Sequence, residues 1–142
     1  MTTSIPETRP SHRGRSAIAL ISGLVVGVVL SLGTDQILHV LNVYPPWGQT
    51  MSDGLFMVAT AYRIVYTILG SYIAARLAPD RPMGHALVLG VVGLVVSIAG
   101  AAATWNTQPS IGPHWYALAI AAISIPCAWV GGKIREMQLG AT

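Results

Sequence analysis

Charge is what this sequence has least of: charged residues fill 9% of its 142 positions, eight Lys plus Arg against five Asp plus Glu, where a soluble domain carries about 25%. That scarcity weighs against a water-soluble enzyme and against a chain kept disordered by charge repulsion. Cysteine occurs once, at Cys127, which leaves no intrachain disulfide and no Cys-x-x-Cys redox pair. His-x-x-x-His and Glu-x-x-His spacings are absent, so the helical signatures of a transition-metal site are missing. So is a nucleophile with a nearby base. Ser22, Ser31 and Ser97 stand in apolar runs, where hydroxyls usually bond back to the backbone. His39 and His114 could in principle hold a haem between them, but His114 falls in a loop without a positioned partner, and His12 and His85 lie elsewhere. No cofactor is expected. Nucleic acid is not an expected partner either, because the few basic residues are not interleaved with aromatics.

What is present is apolar sequence: 53% of the residues are hydrophobic. Four segments are long enough to cross a hydrocarbon core about 30 Å thick, which takes roughly 20 residues. They span about residues 17–43, 55–78, 86–104 and 115–132. The first is interrupted by Asp35 and the second contains Arg63, whereas the third and fourth are free of charge. Between them lie Tyr44-Pro45-Pro46-Trp47-Gly48, Pro79-Asp80-Arg81-Pro82-Met83-Gly84 and the Pro- and Gly-bearing stretch Asn106 to Pro113, which predict helix stops. In lipid the backbone must satisfy itself, and the short alternating strands of a barrel are absent, so the spans are helices. The expected fold is an all-α membrane protein, four transmembrane helices in an up-down bundle over residues 17–135. Residues 1–16 are expected as a disordered basic cytoplasmic tail and 136–142 as a short cytoplasmic one.

Apart from Arg63 within the second span, Lys and Arg lie on one side only. Arg9, Arg13 and Arg15 precede helix 1, Arg76 and Arg81 flank the second connection, and Lys133 and Arg135 follow helix 4. The first and third connections carry none, so both termini are expected in the cytoplasm. Trp47, Trp105, Trp115 and Tyr116 then fall at the outer interface and Tyr72 and Trp129 at the inner one, as aromatic belts do. The first apolar run is longer than the roughly 7 to 15 residues of a signal-peptide core, and no Ala-x-Ala site follows it, so helix 1 is expected to stay as an anchor.

Small residues recur at helical spacing in Gly23-x-x-x-Gly27-x-x-x-Ser31, Gly93-x-x-x-Ser97-x-x-x-Ala101 and Ala117-x-x-x-Ala121. Such stripes let helices approach closely in lipid, within the chain or with a partner. Pro126 removes one helix hydrogen bond and could kink helix 4. A faint repeat pairs Val25 to Leu32 with Val91 to Ile98, each followed by Pro-x-Trp (Pro45 and Trp47, Pro113 and Trp115), and Tyr72 to Leu77 with Trp129 to Ile134. It is either a parallel repeat of two hairpins or a chance match of common residues.

Asp35 and Arg63 stand at similar depth from the outer ends of neighbouring helices, about eight residues in. Separately each ion would cost a few kcal/mol in lipid, so an ion pair is expected. Gln36, His39, Thr60, Tyr62, Tyr66 and Thr67 are candidates to complete a polar pocket open to the outside. Two functions compete. In one, the pair fixes helix register in an interaction or accessory subunit, with a membrane-protein partner or a second copy bound. In the other, Asp35 and His39 handle a cation or proton in a small transporter, with Arg63 controlling the aspartate. A carboxylate held by Arg carries protons poorly, which favours the first.

Tyr62-Arg63-Ile64-Val65-Tyr66, Ala74 to Pro79, Arg81-Pro82-Met83-Gly84-His85, Gly112-Pro113-His114-Trp115-Tyr116 and Pro126 to Gly132 resemble small four-helix bacterial inner-membrane proteins that carry no assigned activity. The resemblance covers about residues 34–136. It implies a bacterial inner membrane and no site residues. The chain does not resemble the small multidrug-resistance transporters, whose essential acid lies within helix 1 and whose charge bias is weak.

Overall fold

A computed structural model describes residues 12–107 and 110–141. They form α1 (His12–Val40), α2 (Asp53–Leu77), α3 (Pro82–Thr104) and α4 (His114–Gly140). Each is long and apolar enough to cross a membrane, and no strand occurs among the described residues. Arg9, most of the expected N-terminal tail and Pro109 lie outside them.

The helix ends differ from expectation. α1 begins at His12 rather than Ala17, so Arg13 and Arg15 sit in its first turns and not in an irregular tail. Apolar content located the span, but Arg, Ser and Ala all accept helical geometry and extend it into polar sequence. For the same reason α4 continues to Gly140 through Lys133-Ile134-Arg135-Glu136, and it runs as one helix past Pro126. α1 stops early, at Val40, because Asn42 takes a left-handed conformation with φ 58°. Asn42 then donates to the His39 carbonyl at 3.1 Å and Val43 to the Leu38 carbonyl at 3.0 Å, the double bond of a Schellman cap.

α2 is the hub: it packs on α1, α3 and α4, while α1 and α4 do not touch among the described residues. Facing residues run in opposite numerical order between α1 and α2 (Gly23 with Gly70, Asp35 with Arg63) and between α3 and α4 (Ala86 with Gly132, Gly93 with Ser124), so these neighbours are antiparallel. α4 follows α2 in the same direction, Tyr116 against Phe56 and Gly131 against Ser71.

The end that carries the termini is tightly packed. A Cβ on Gly70 would lie 2.6 Å from the Gly23 carbonyl oxygen, one on Gly90 2.5 Å from the Cβ of Ala128, and one on Gly131 2.5 Å from the Ile68 carbonyl oxygen. Ala19, Ala74, Ala86 and Ala128 are fully buried between them. Backbones therefore meet directly, which is how helices outcompete lipid for one another. Gly23 and Gly27 of the α1 stripe are used inside the chain, Gly27 facing the Tyr66 carbonyl. Large apolar side chains such as Val25, Val29 and Leu32 point outward instead. The suggested repeat is not mirrored in its tryptophans: Trp47 stacks on His39, whereas the Trp115 indole donates to Asp53 at 3.1 Å.

Candidate functional site

At the opposite end, which holds the α1–α2 and α3–α4 connections, the helices are kept apart by bulkier residues. Asp35 lies in the last two turns of α1 and Arg63 almost three turns into α2, so their depths are less well matched than simple counting suggests. The long Arg63 side chain closes the gap by reaching towards the connections, and its Nη2 donates to Asp35 Oδ2 at 2.6 Å. The aspartate's other oxygen accepts from the Tyr62 hydroxyl. With its proton engaged there, Tyr62 accepts from the Tyr44 hydroxyl at 3.1 Å, a donor shared with the Leu55 carbonyl at 3.5 Å. Tyr44 is 2% exposed and pins the α1–α2 connection onto α2.

Some predicted pocket residues join this network and others do not. Tyr66 meets Thr34 of α1 at 2.8 Å, one step below the ion pair. His39 does not touch the Asp35 carboxylate. Its Nδ1 donates to the Asp35 backbone carbonyl at 2.7 Å, and its ring stacks on Trp47 with centroids 3.8 Å apart. The expected Asp35–His39 proton pair is thus not formed, because an i, i+4 histidine on a helix finds the backbone oxygen first. Gln36 faces outward, away from the pocket, and Thr60 bonds back to the Phe56 carbonyl at 2.9 Å. Thr67 lies deeper, in a second cavity.

The ion pair forms part of the wall of a cavity of about 830 Å3 bounded by α1, α2, α3, α4 and both connections. Its apolar and aromatic wall includes Phe56, Ala59, Ala101, Tyr116 and Ile120, with His39 and Trp47 near the mouth. The Arg63 guanidinium sits 5.6 Å from the centre of the Tyr116 ring and 5.9 Å from that of Tyr62, so it is held by one carboxylate and two ring faces. A second cavity of about 360 Å3 shares Arg63, Ser97 and Ile120 with the first and continues between α1 and α3. Ser71, 1% exposed, borders it, and its hydroxyl has no hydrogen-bond partner among the described residues.

Chemically the site is rich in donors. Each Asp35 oxygen already accepts one hydrogen bond, while a guanidinium has five N–H groups and Arg63 hydrogen-bonds through Nη2 alone among the described residues. No group of His, Cys, Asp and Glu suited to a metal ion occurs among the described residues. Tyr44, Phe56 and Tyr116 line the cavity and are the pocket residues that sequence reasoning missed. Tyr116 looks like a belt aromatic in sequence, and Tyr44 like part of a helix stop, since neither has periodic polar neighbours. No protein-family model matches the chain, and no curated protein or solved structure is significantly similar to it.

Proposed function

We propose that this chain is a four-helix inner-membrane protein that takes a small molecule into the cavity at its connection end, with Asp35 and Arg63 as the polar anchor of a carrier-type site. The observation that carries this reading is the position of the ion pair. A purely structural pair is best closed off by packing, whereas Arg63 borders two adjoining cavities and keeps most of its donors unused. The distribution of Arg13, Arg15, Arg76, Arg81, Lys133 and Arg135 supports an orientation with both termini in the cytoplasm. The cavity then opens to the outer side. The resemblance to small bacterial proteins supports a bacterial membrane.

A second reading, an accessory subunit bound to another membrane protein or to a second copy, is favoured by one observation. Ser31 of α1 and Gly93 and Ser97 of α3 border the groove between these helices, whose mutual contact is the smallest of the contacting helix pairs. A helix from a partner could seat there.

Native mass spectrometry of the chain extracted from its own membrane in mild detergent separates the two, with Gly100→Phe as the comparison. Gly100 borders the large cavity and a Cβ there meets nothing within 4 Å, so the new ring adds bulk without a backbone clash. The carrier reading expects a small-molecule mass on the wild type that Gly100→Phe loses. A stoichiometric second protein with no such mass would replace it with the subunit reading.

A further inference from the structure

The chemistry of the cavity restricts what can occupy it, and the restriction rests on the reading of that cavity as a binding site. We infer that it accepts a neutral, lipid-soluble carbonyl compound with a flat ring head, of the alkyl-substituted quinone type.

Three features point that way. First, the charged group with open hydrogen-bonding positions towards the cavity is a donor: Arg63 engages Asp35 through Nη2, while the aspartate already accepts on each oxygen, from Arg63 and from Tyr62. A ligand that brings acceptor oxygens meets the strongest donors in the cavity. Second, Asp35 and Arg63 cancel, and the other acidic and basic residues among those lining the cavity reduce to His39, whose Nδ1 is fixed on a backbone carbonyl. A carboxylate or phosphate entering beside the pair would leave the site with an uncompensated negative charge, which is costly in an apolar surrounding. A ketone oxygen accepts the same N–H groups without adding charge. Third, the wall is aromatic: Phe56 and Tyr116 meet with ring centroids 4.8 Å apart, Arg63 lies over Tyr116, and His39 and Trp47 stack near the mouth. Flat conjugated heads pack well on such faces. The second cavity adjoins at Arg63 and Ser97, and its border includes outward-facing Leu24, Val28 and Leu32. An alkyl tail attached to the ring can leave the anchor by that route and reach lipid.

The test is binding of three probes of equal chain length to the full chain in detergent micelles, followed by native mass spectrometry: a decyl-substituted benzoquinone, decanoate and decylbenzene. The inference expects a one-to-one quinone adduct at least about tenfold tighter than either other probe, the worth of a single hydrogen bond from a charged donor at its weakest. Arg63→Lys, which keeps the charge but loses the planar fork, should reduce that preference several-fold while the thermal midpoint stays near wild type. Gly100→Phe should abolish the adduct. Tighter binding of decanoate, or equal binding of all three, would overturn the inference and leave the binding-site reading standing. If no probe binds and Gly100→Phe also leaves the mass of the native chain unchanged, the reading beneath it falls as well.

Discussion

The two ends of this bundle are built from different residues for different ends. Towards the termini, Gly23, Gly70, Gly90 and Gly131 bring backbones together until no side chain fits between them. Towards the connections, Tyr44, Phe56, Tyr62 and Tyr116 hold the helices apart around a cavity, and the polar atoms there are joined into one network. The first arrangement gains stability from dispersion contacts at short range and tolerates almost no added volume. The second leaves volume unfilled and fixes its shape with hydrogen bonds. One end is closed and the other encloses a cavity.

The sharpest way to break this contrast is to add bulk at the clamped end. Gly131→Leu should cost about 3 kcal/mol or more, because its Cβ alone meets the Ile68 carbonyl oxygen at 2.5 Å and the Tyr72 nitrogen at 2.7 Å, and overpacking against backbone has little room to relax. Loss of folded chain on mild denaturant titration measures it. Next is Asp35→Asn, which leaves the Arg63 charge partly buried without its partner. About 2 kcal/mol is expected, less than for a fully enclosed pair because the Arg63 side chain is 26% exposed. Exchange of both residues, Asp35→Arg with Arg63→Asp, should recover part of the loss in the same thermal measurement; no recovery would mean that the Tyr62 bond, not the charge pairing, matters most. Tyr62→Phe removes a donor from Asp35 and an acceptor from Tyr44 and should cost about 1 kcal/mol. The smallest effect belongs to Gly100→Ala at the open end: with nothing within 4 Å of the new Cβ, a gain of up to about 1 kcal/mol in helix propensity is expected. A loss there as large as that at Gly131 would erase the distinction between the two ends.

The helix count was legible because lipid imposes it: long uncharged runs have no other stable form. The Asp35–Arg63 pair was legible by the same route, since two lone charges in the outer parts of adjacent spans are costly apart, and the long Arg63 side chain makes up the difference in depth. The helix ends were not. Hydropathy marks where lipid stops, while the α-helix goes on for as long as residues such as Arg13, Arg15, Glu136 and Met137 permit. Nor was the cavity legible, because it depends on how far four helices splay, and that is decided by pairs remote in sequence, such as Phe56 with Tyr116. Gln36 and Thr60 illustrate the limit: proximity in sequence to Asp35 and Arg63 put them among the candidates, but one faces outward and the other returns to its own backbone.

The pairing of Asp35 with Arg63 also bears on how the chain is made. α2 is the least apolar of the four helices, with a mean hydropathy of 1.3 over its best window against 2.3 for α1, and it carries the arginine. Synthesis delivers α1 first, so the aspartate is already in place when Arg63 emerges, and the neutralising contact lies wholly within the first hairpin. α2 can thus enter the bilayer against α1 as a charge-balanced unit, before α3 and α4 exist to cover its other faces. On this order of synthesis, the first expected sign of losing the pair is fewer chains settled in the membrane.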